Sequence, residues 1–320
     1  MMIAVVISTV VIALAIVVGI AVTRLVLYPM LPPDLGGVEN LDARAQRVRI
    51  PLGDGDNLDG WHLAGSGRGA LLLLHGFGRT HHRMWRYGEF LNRAGYDLLA
   101  VDFRSSRRRD RKPTTLGHHE LPDAQAALAW LRALPALDGQ PVGVLGESLG
   151  GSVALLLAAR NPDIAAVIVD GAFSNAGKAL EDSCERWAGL PGAPTAALLR
   201  WIGRHFTGHD PGSMDVIAAC EALAKRPVMV IHSSEDDRLT TAHATALWHA
   251  AGGKDPLWLI HGAGHNEGWR RQQGLYEELV LAFLERPMRG HGPGLPGGPR
   301  ASAVSRRQDP WARLRQALPG

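Results

Sequence analysis

The sequence predicts an α/β domain with a mostly parallel, doubly wound sheet, and three observations lead there. Short apolar runs recur from residue 46 to residue 285, separated by stretches of helical period. The later runs are solidly apolar rather than alternating, as strands covered on both faces require. Strand and helix signals take turns, which implies right-handed crossovers onto one sheet. The chain has 320 residues, 46% hydrophobic and 20% charged, which excludes wholesale disorder and fibrous repeats. A net charge of +3 is too small an excess to mark the whole chain as a nucleic-acid binder.

From the amino terminus, residues 1–23 carry no charge, and only Ser8, Thr9, Gly19 and Thr23 interrupt a run of aliphatic side chains. At about 1.5 Å per residue, such a helix crosses a hydrocarbon layer of about 30 Å. Arg24, Tyr28 and Pro29 then supply a charge, an interfacial aromatic ring and a helix stop. The expectation is a retained transmembrane anchor over residues 1–27. The alternative is a signal peptide cleaved near Gly19 and Ala21, giving a secreted or periplasmic protein, but no Lys or Arg precedes the run. Arg24, Arg44, Arg47 and Arg49 follow it and favour a cytoplasmic body.

Residues 28–45 read as a linker, and 46–285 as the folded domain. Strands are expected at 46–50, 59–63, 70–74, 97–101, 141–145, 165–169, 227–231 and 257–260. Helices are expected near 83–93, 122–134, 149–160, 240–250 and 267–285. The interval 174–225 is too long for one crossover. It holds about three helical pieces broken by Pro191, Gly192, Pro194, Gly208 and Pro211, and reads as a helical cap over the sheet's edge. Residues 286–320 form a basic Gly/Pro-rich tail expected to be disordered, with a short amphipathic piece near Trp311. Cys184 and Cys220 can form one bridge or stay as two buried thiols.

The chemistry begins at Gly146-Glu147-Ser148-Leu149-Gly150. This Gly-x-Ser-x-Gly pattern follows an apolar strand and opens an Ala/Leu/Val helix, the context in which it forms a nucleophile elbow. A serine hydroxyl needs a base, and the base needs an orienting carboxylate. In chain order after Ser148, strand 227–231 runs into Glu235-Asp236-Asp237, with Asp236 the leading acid and Asp237, Glu235 and Asp170 as alternatives. Strand 257–260 runs into His261-Gly262-Ala263-Gly264-His265, where His265 is the base. Two N–H donors are needed for an oxyanion. Leu149 supplies one, and Phe77, in His75-Gly76-Phe77-Gly78, supplies the other.

Taken with Leu72-Leu73-Leu74 and Ile231-His232, these motifs resemble the α/β-hydrolase superfamily, nearest the membrane-anchored or secreted serine hydrolases grouped with alpha/beta-hydrolase domain and Bem46-like proteins. The resemblance covers about residues 46–285. It implies the α/β-hydrolase fold and a cofactor-free enzyme that hydrolyses ester or acyl bonds with Ser148, Asp236 and His265 as triad. One departure is the segment Asp102-Phe103-Arg104-Ser105-Ser106, where two family glycines are missing.

That loop carries six Lys/Arg among residues 104–112 and should emerge at the sheet's carboxyl edge, where open α/β folds bind ligands. Arg104 and Arg107 are expected either to attract an anionic substrate or to pair with nearby acids. The pairs His81-His82 and His118-His119 lack a third ligand at regular spacing, so no metal is expected. The reading is a serine esterase acting on a small-molecule or lipid ester. Thioesterase or peptidase action on the same triad, and a catalytically eroded scaffold, remain open.

Overall fold

The computed structural model describes residues 42–289, the segment 27–33 and scattered residues between 6 and 25. Most of the expected anchor, part of the linker and the tail beyond 289, including the piece near Trp311, lie outside the described residues. Among the described residues no helix is long and apolar enough to cross a membrane.

Each of the eight expected runs forms a strand: β1 (Gln46–Pro51), β2 (Asn57–Leu63), β3 (Ala70–Leu74), β4 (Asp97–Asp102), β5 (Val142–Glu147), β6 (Ile164–Asp170), β7 (Val228–Ser233) and β8 (Leu257–Ile260). They make one sheet in the order β1-β2-β4-β3-β5-β6-β7-β8. The β1–β2 and β2–β4 pairs are antiparallel, and the others are parallel.

Layering explains the leucine run of β3. Leu72 and Leu74 enter the core on one face, and Leu71 and Leu73 enter the core on the other. All four are fully buried, each contributing about 2 kcal/mol of hydrophobic stabilisation. A period-2 backbone buried on both sides leaves no position for a polar residue, so the strand reads as continuous rather than alternating.

α1 (His81–Arg93) covers one face. α2 (Glu120–Arg132) and α3 (Leu149–Arg160) cover the other. Pro122 sits inside the first turn of α2, where no intrahelical N–H bond is lost. The chain leaves β3 for one face and β5 for the opposite face, although these strands are neighbours. That reversal opens a crevice at their carboxyl ends, where ligands bind in open α/β sheets.

After β6 the chain forms α4 (Ala176–Arg186), α5 (Gly192–Thr207) and α6 (Val216–Glu221). α4 and α5 share a small core, with Cys184, Leu199 and Ile202 packed on Leu27. α6 buries Val216 and Cys220 in the main core, and α4 joins that core at its first turn through Ala176 and Ala179, so the cap consists of α5 and the later part of α4. Cys184 and Cys220 are both free and buried.

α7 (Thr241–Ala250) follows β7. The single helix expected at 267–285 is two, α8 (Gly268–Arg271) and α9 (Gln273–Glu285), because Gln272 leaves the helical region at φ −138° and ψ 49°.

Residues 28–33, expected as free linker, lie against the body. The Thr114 N–H donates to the Leu27 carbonyl at 2.8 Å, and Arg111 Nη1 donates to the Pro29 carbonyl at 2.8 Å.

Candidate active site

Ser148 joins β5 to α3 with φ +52° and ψ −119°, a region that costs a side-chain-bearing residue about 1–3 kcal/mol. The surroundings hold it there. Its N–H donates to the Asp170 carbonyl at 2.8 Å, and its own carbonyl accepts from the Gly151 amide at 2.9 Å. A Cβ on Gly146 would strike the Gly150 carbonyl, and one on Gly150 would strike that of Leu74. Only glycine permits so sharp a turn beside β3.

The strand ends then bring distant side chains together. His265 Nε2 lies 3.0 Å from Ser148 Oγ, and His265 Nδ1 lies 2.6 Å from Asp236 Oδ2. The other carboxylate oxygen of Asp236 accepts the amides of Arg238 and Leu239, each at 2.8 Å. Burial works against its charge, yet the hydrogen bond from His265 and those amides together hold the carboxyl below its ordinary value. An ionised Asp236 fixes the proton on Nδ1 and leaves the Nε2 lone pair facing the serine. His232 stands behind it, Nε2 3.6 Å from Asp236 Oδ2, and burial lowers its pKa and favours the neutral ring.

Two residues with unclaimed backbone amides line the same cavity as Ser148 and His265. Leu149 opens α3, before any intrahelical bond can claim its N–H. Phe77 follows β3, and no protein acceptor takes its N–H among the described residues. The loop bearing Phe77 is held from below by His75, which sequence reasoning passed over. Its Nε2 accepts the Phe103 amide at 3.1 Å, so Nδ1 must carry the proton and donate to the Gly76 carbonyl at 2.8 Å. Complete burial lowers the His75 pKa, which keeps this one-proton arrangement.

A second group escaped the sequence reading because its members are scattered. Glu147, inside the elbow motif, is buried and pairs with Arg83 Nε at 3.1 Å and Arg86 Nη2 at 2.6 Å. Both arginines also donate to the carbonyl of Asn266, at 2.8 and 3.0 Å. Asn266 follows His265 in the left-handed region at φ +56°, which asparagine tolerates better than most residues. Its side-chain amide donates to the Asp170 carbonyl at 2.8 Å, the carbonyl that also accepts from Ser148. The turns bearing Ser148 and His265 are thus fastened to one another. A buried Glu after glycine in the elbow motif, with two arginines one turn apart in α1, was the available signal.

The remaining candidates lie elsewhere. Asp170 accepts hydrogen bonds from the Tyr87 hydroxyl at 3.1 Å and the Tyr276 hydroxyl at 2.9 Å, away from His265. Burial pushes its carboxyl up. Glu235 and Asp237 are exposed at the cavity mouth, and His261 is exposed beside β8. Arg104 and Arg107 do not reach the site. Arg104 pairs with Asp123 at 2.7 Å and Asp54 at 2.5 Å, and Arg107 pairs with Asp56 at 2.9 Å. Their partners, in the β1–β2 turn and in α2, already neutralise them, so of the two expectations the pairing with nearby acids describes these arginines and the substrate-binding role does not. Among the described residues no cluster is arranged to hold a metal ion.

Above Ser148 and His265 a cavity of about 950 Å³ opens between the body and the cap. Leu27, Leu116, Phe173, Leu180 and Leu199 line its apolar part, and Arg79 and Arg238 stand with the acids at its polar end. A poised hydroxyl, a base, a buried carboxylate, two free amides and an apolar chamber suit attack on an acyl carbonyl.

Comparison with known proteins agrees with this architecture. Residues 69–194 match a family model described as the alpha/beta hydrolase fold. The uncharacterized protein YqkD of Bacillus subtilis is 23% identical over 239 residues, covering 74% of this chain and 78% of that one. The alpha/beta hydrolase domain-containing protein WAV2 of Arabidopsis thaliana is 25% identical over 272 residues, covering 81% and 82%. The solved structure of the Pyrococcus furiosus esterase Pf2001 superposes with a TM-score of 0.68 at 23% identity, covering 82% of this chain and 97% of the esterase, a likeness of fold.

Proposed function

The chain belongs to the α/β-hydrolase superfamily, and from that premise we propose that it is a serine hydrolase that cleaves carboxylic esters through Ser148, His265 and Asp236. The observation that carries this reading is the continuous hydrogen-bonded relay, 3.0 Å from Ser148 Oγ to His265 and 2.6 Å from His265 to Asp236, at the head of a strained elbow.

In the proposed cycle, His265 Nε2 takes the Ser148 proton while Oγ bonds to the acyl carbon. The carbonyl electron pair moves onto oxygen, where the amides of Phe77 and Leu149 receive it. Asp236 stabilises the imidazolium without taking its proton. The intermediate collapses, the bond to the alcohol oxygen breaks, and His265 delivers its proton to that oxygen. Water, deprotonated by the same ring, then attacks the acyl-serine ester and releases the acid, which restores the serine hydroxyl.

Ser148→Ala should lower turnover of activated esters roughly ten-thousand-fold or more while leaving the melting temperature within a few degrees of wild type. Steady-state kinetics beside thermal unfolding checks this. Wild-type turnover in that variant would place the nucleophile elsewhere.

A further inference from the structure

α5 is apolar on two faces, and only one of them is covered. Ala196, Leu199 and Ile202 are buried on the inner side, the last two against Leu27 and Cys184. On the outer side Leu198, Trp201 and Phe206 are 51%, 61% and 59% exposed. The His205 ring stacks on Trp201 at 5.5 Å and 9°, and Phe206 meets His205 edge-on at 5.1 Å. A second apolar helix face is ordinarily buried, and among the described residues this outer stripe has no partner. Its polar positions are Arg200, Arg204 and His205, and residues 192–207 contain no Asp or Glu.

The pattern extends beyond α5. Every large hydrophobic side chain that is exposed among the described residues lies either before residue 31 or between residues 187 and 206. The rest of the described surface has none. Leu25, Met30, Trp187 and Leu190 belong to this set and also line the cavity above Ser148. The exposed apolar set thus includes side chains of the cavity mouth, and Leu199, next to Leu198 on α5, lines the same cavity. Immediately upstream in sequence, residues 1–23 contain no charged side chain, and Leu27 is seated against the inner side of α5.

We propose that the outer face of α5, with Leu25, Met30, Trp187 and Leu190, docks on an anionic lipid bilayer, so that the cavity mouth opens onto the membrane and takes an amphiphilic ester from it by its apolar chain. The occupant is set by three features together. A charge-free stretch of sequence of bilayer-spanning length directly precedes Leu25 and Met30, which belong to the patch. Tryptophan and phenylalanine dominate the exposed stripe, as in helices that lie in the membrane interface. Arg204 lies beside that stripe as a charge for anionic headgroups, whereas Arg200 is held by Asp210 at 2.7 Å. Docking stands by itself, whereas the choice of substrate rests on the serine-hydrolase reading.

The test uses the full chain reconstituted into vesicles of phosphatidylcholine and phosphatidylglycerol with brominated acyl chains, which quench tryptophans in contact with them. Docking predicts quenching that Trp201→Phe measurably reduces. Quenching unchanged in Trp201→Phe overturns it. In detergent, a wild-type dimer that Leu198→Ser/Trp201→Ser/Phe206→Ser returns to monomer also overturns it, since the face would then belong to a second copy. That triple variant should hydrolyse a water-soluble short-chain ester at the wild-type rate, and a long-chain ester held in the vesicles about tenfold more slowly. Equal loss on both esters counts against docking. Wild-type protein that is quenched but hydrolyses neither ester would sink the hydrolase reading alone and leave the docking supported.

Discussion

Asp170 ends β6 and Asp236 lies in the loop after the neighbouring β7, and their surroundings give them opposite characters. Asp236 receives two backbone amides and an imidazole N–H, whereas Asp170 receives two phenol hydroxyls and is fully buried. Asp236→Asn should reduce kcat roughly ten-thousand-fold, because an amide N–H at that position favours the wrong tautomer of His265. It should also change acid stability in a definite direction. Since the folded carboxyl lies below its ordinary value, its contribution is present above about pH 4 and is lost as pH falls through the folded pKa. The stability gap between wild type and Asp236→Asn, read by denaturant titration, should accordingly be wide at pH 7 and narrow at pH 3. Arg104 gives the contrasting case. Arg104→Gln should leave kinetics on anionic and neutral esters alike, while destabilising the fold by about 2 kcal/mol through the buried Asp123 left behind. An altered KM confined to anionic esters would return that arginine to the site. The sequence left Asp236 and Asp170 both open because each follows an apolar strand, and only the loop's hydrogen bonds separate them. The partners of Arg104 lie 50 residues before it and 19 after it, beyond what a local reading of charge can pair.

At the scale of elements, strands were the most legible feature. A segment such as β3, buried on both faces, must be apolar throughout, and that is visible without coordinates. The elbow was legible for a steric reason, since Gly146 and Gly150 stand where any Cβ would meet backbone. Gly150→Ala should therefore prevent folding or lower the melting temperature by more than ten degrees, at a cost above roughly 4 kcal/mol. A variant that folds with native stability would show that the turn can open. Helix ends were less legible. The break at Gln272 is a departure of one residue from helical φ and ψ, and no proline or glycine at that position announces it. The clamp of Arg83 and Arg86 on Glu147 and Asn266 spans 183 residues of chain. Replacing Glu147 with Ala should cost about 3 kcal/mol, because both guanidinium groups lose their charged partner inside the protein. Urea denaturation of that variant at neutral pH checks the figure.

For the whole molecule, one sheet reversal organises the rest. Because β3 and β5 send their chains to opposite faces, their ends leave a crevice, and into it come an elbow, the loop bearing the Phe77 amide and the loops after β7 and β8 that bear Asp236 and His265. The cap and the segment 27–33 roof that crevice with apolar side chains. The central claim is that this convergence makes Ser148 uniquely nucleophilic, and site-resolved labelling tests it most directly. After reaction with an organophosphonate, peptide mass spectrometry of the wild-type chain should find one adduct, on Ser148. It should vanish in Ser148→Ala and form at least a hundredfold more slowly in His265→Ala. An adduct on another residue, or undiminished labelling of either variant, would contradict the account.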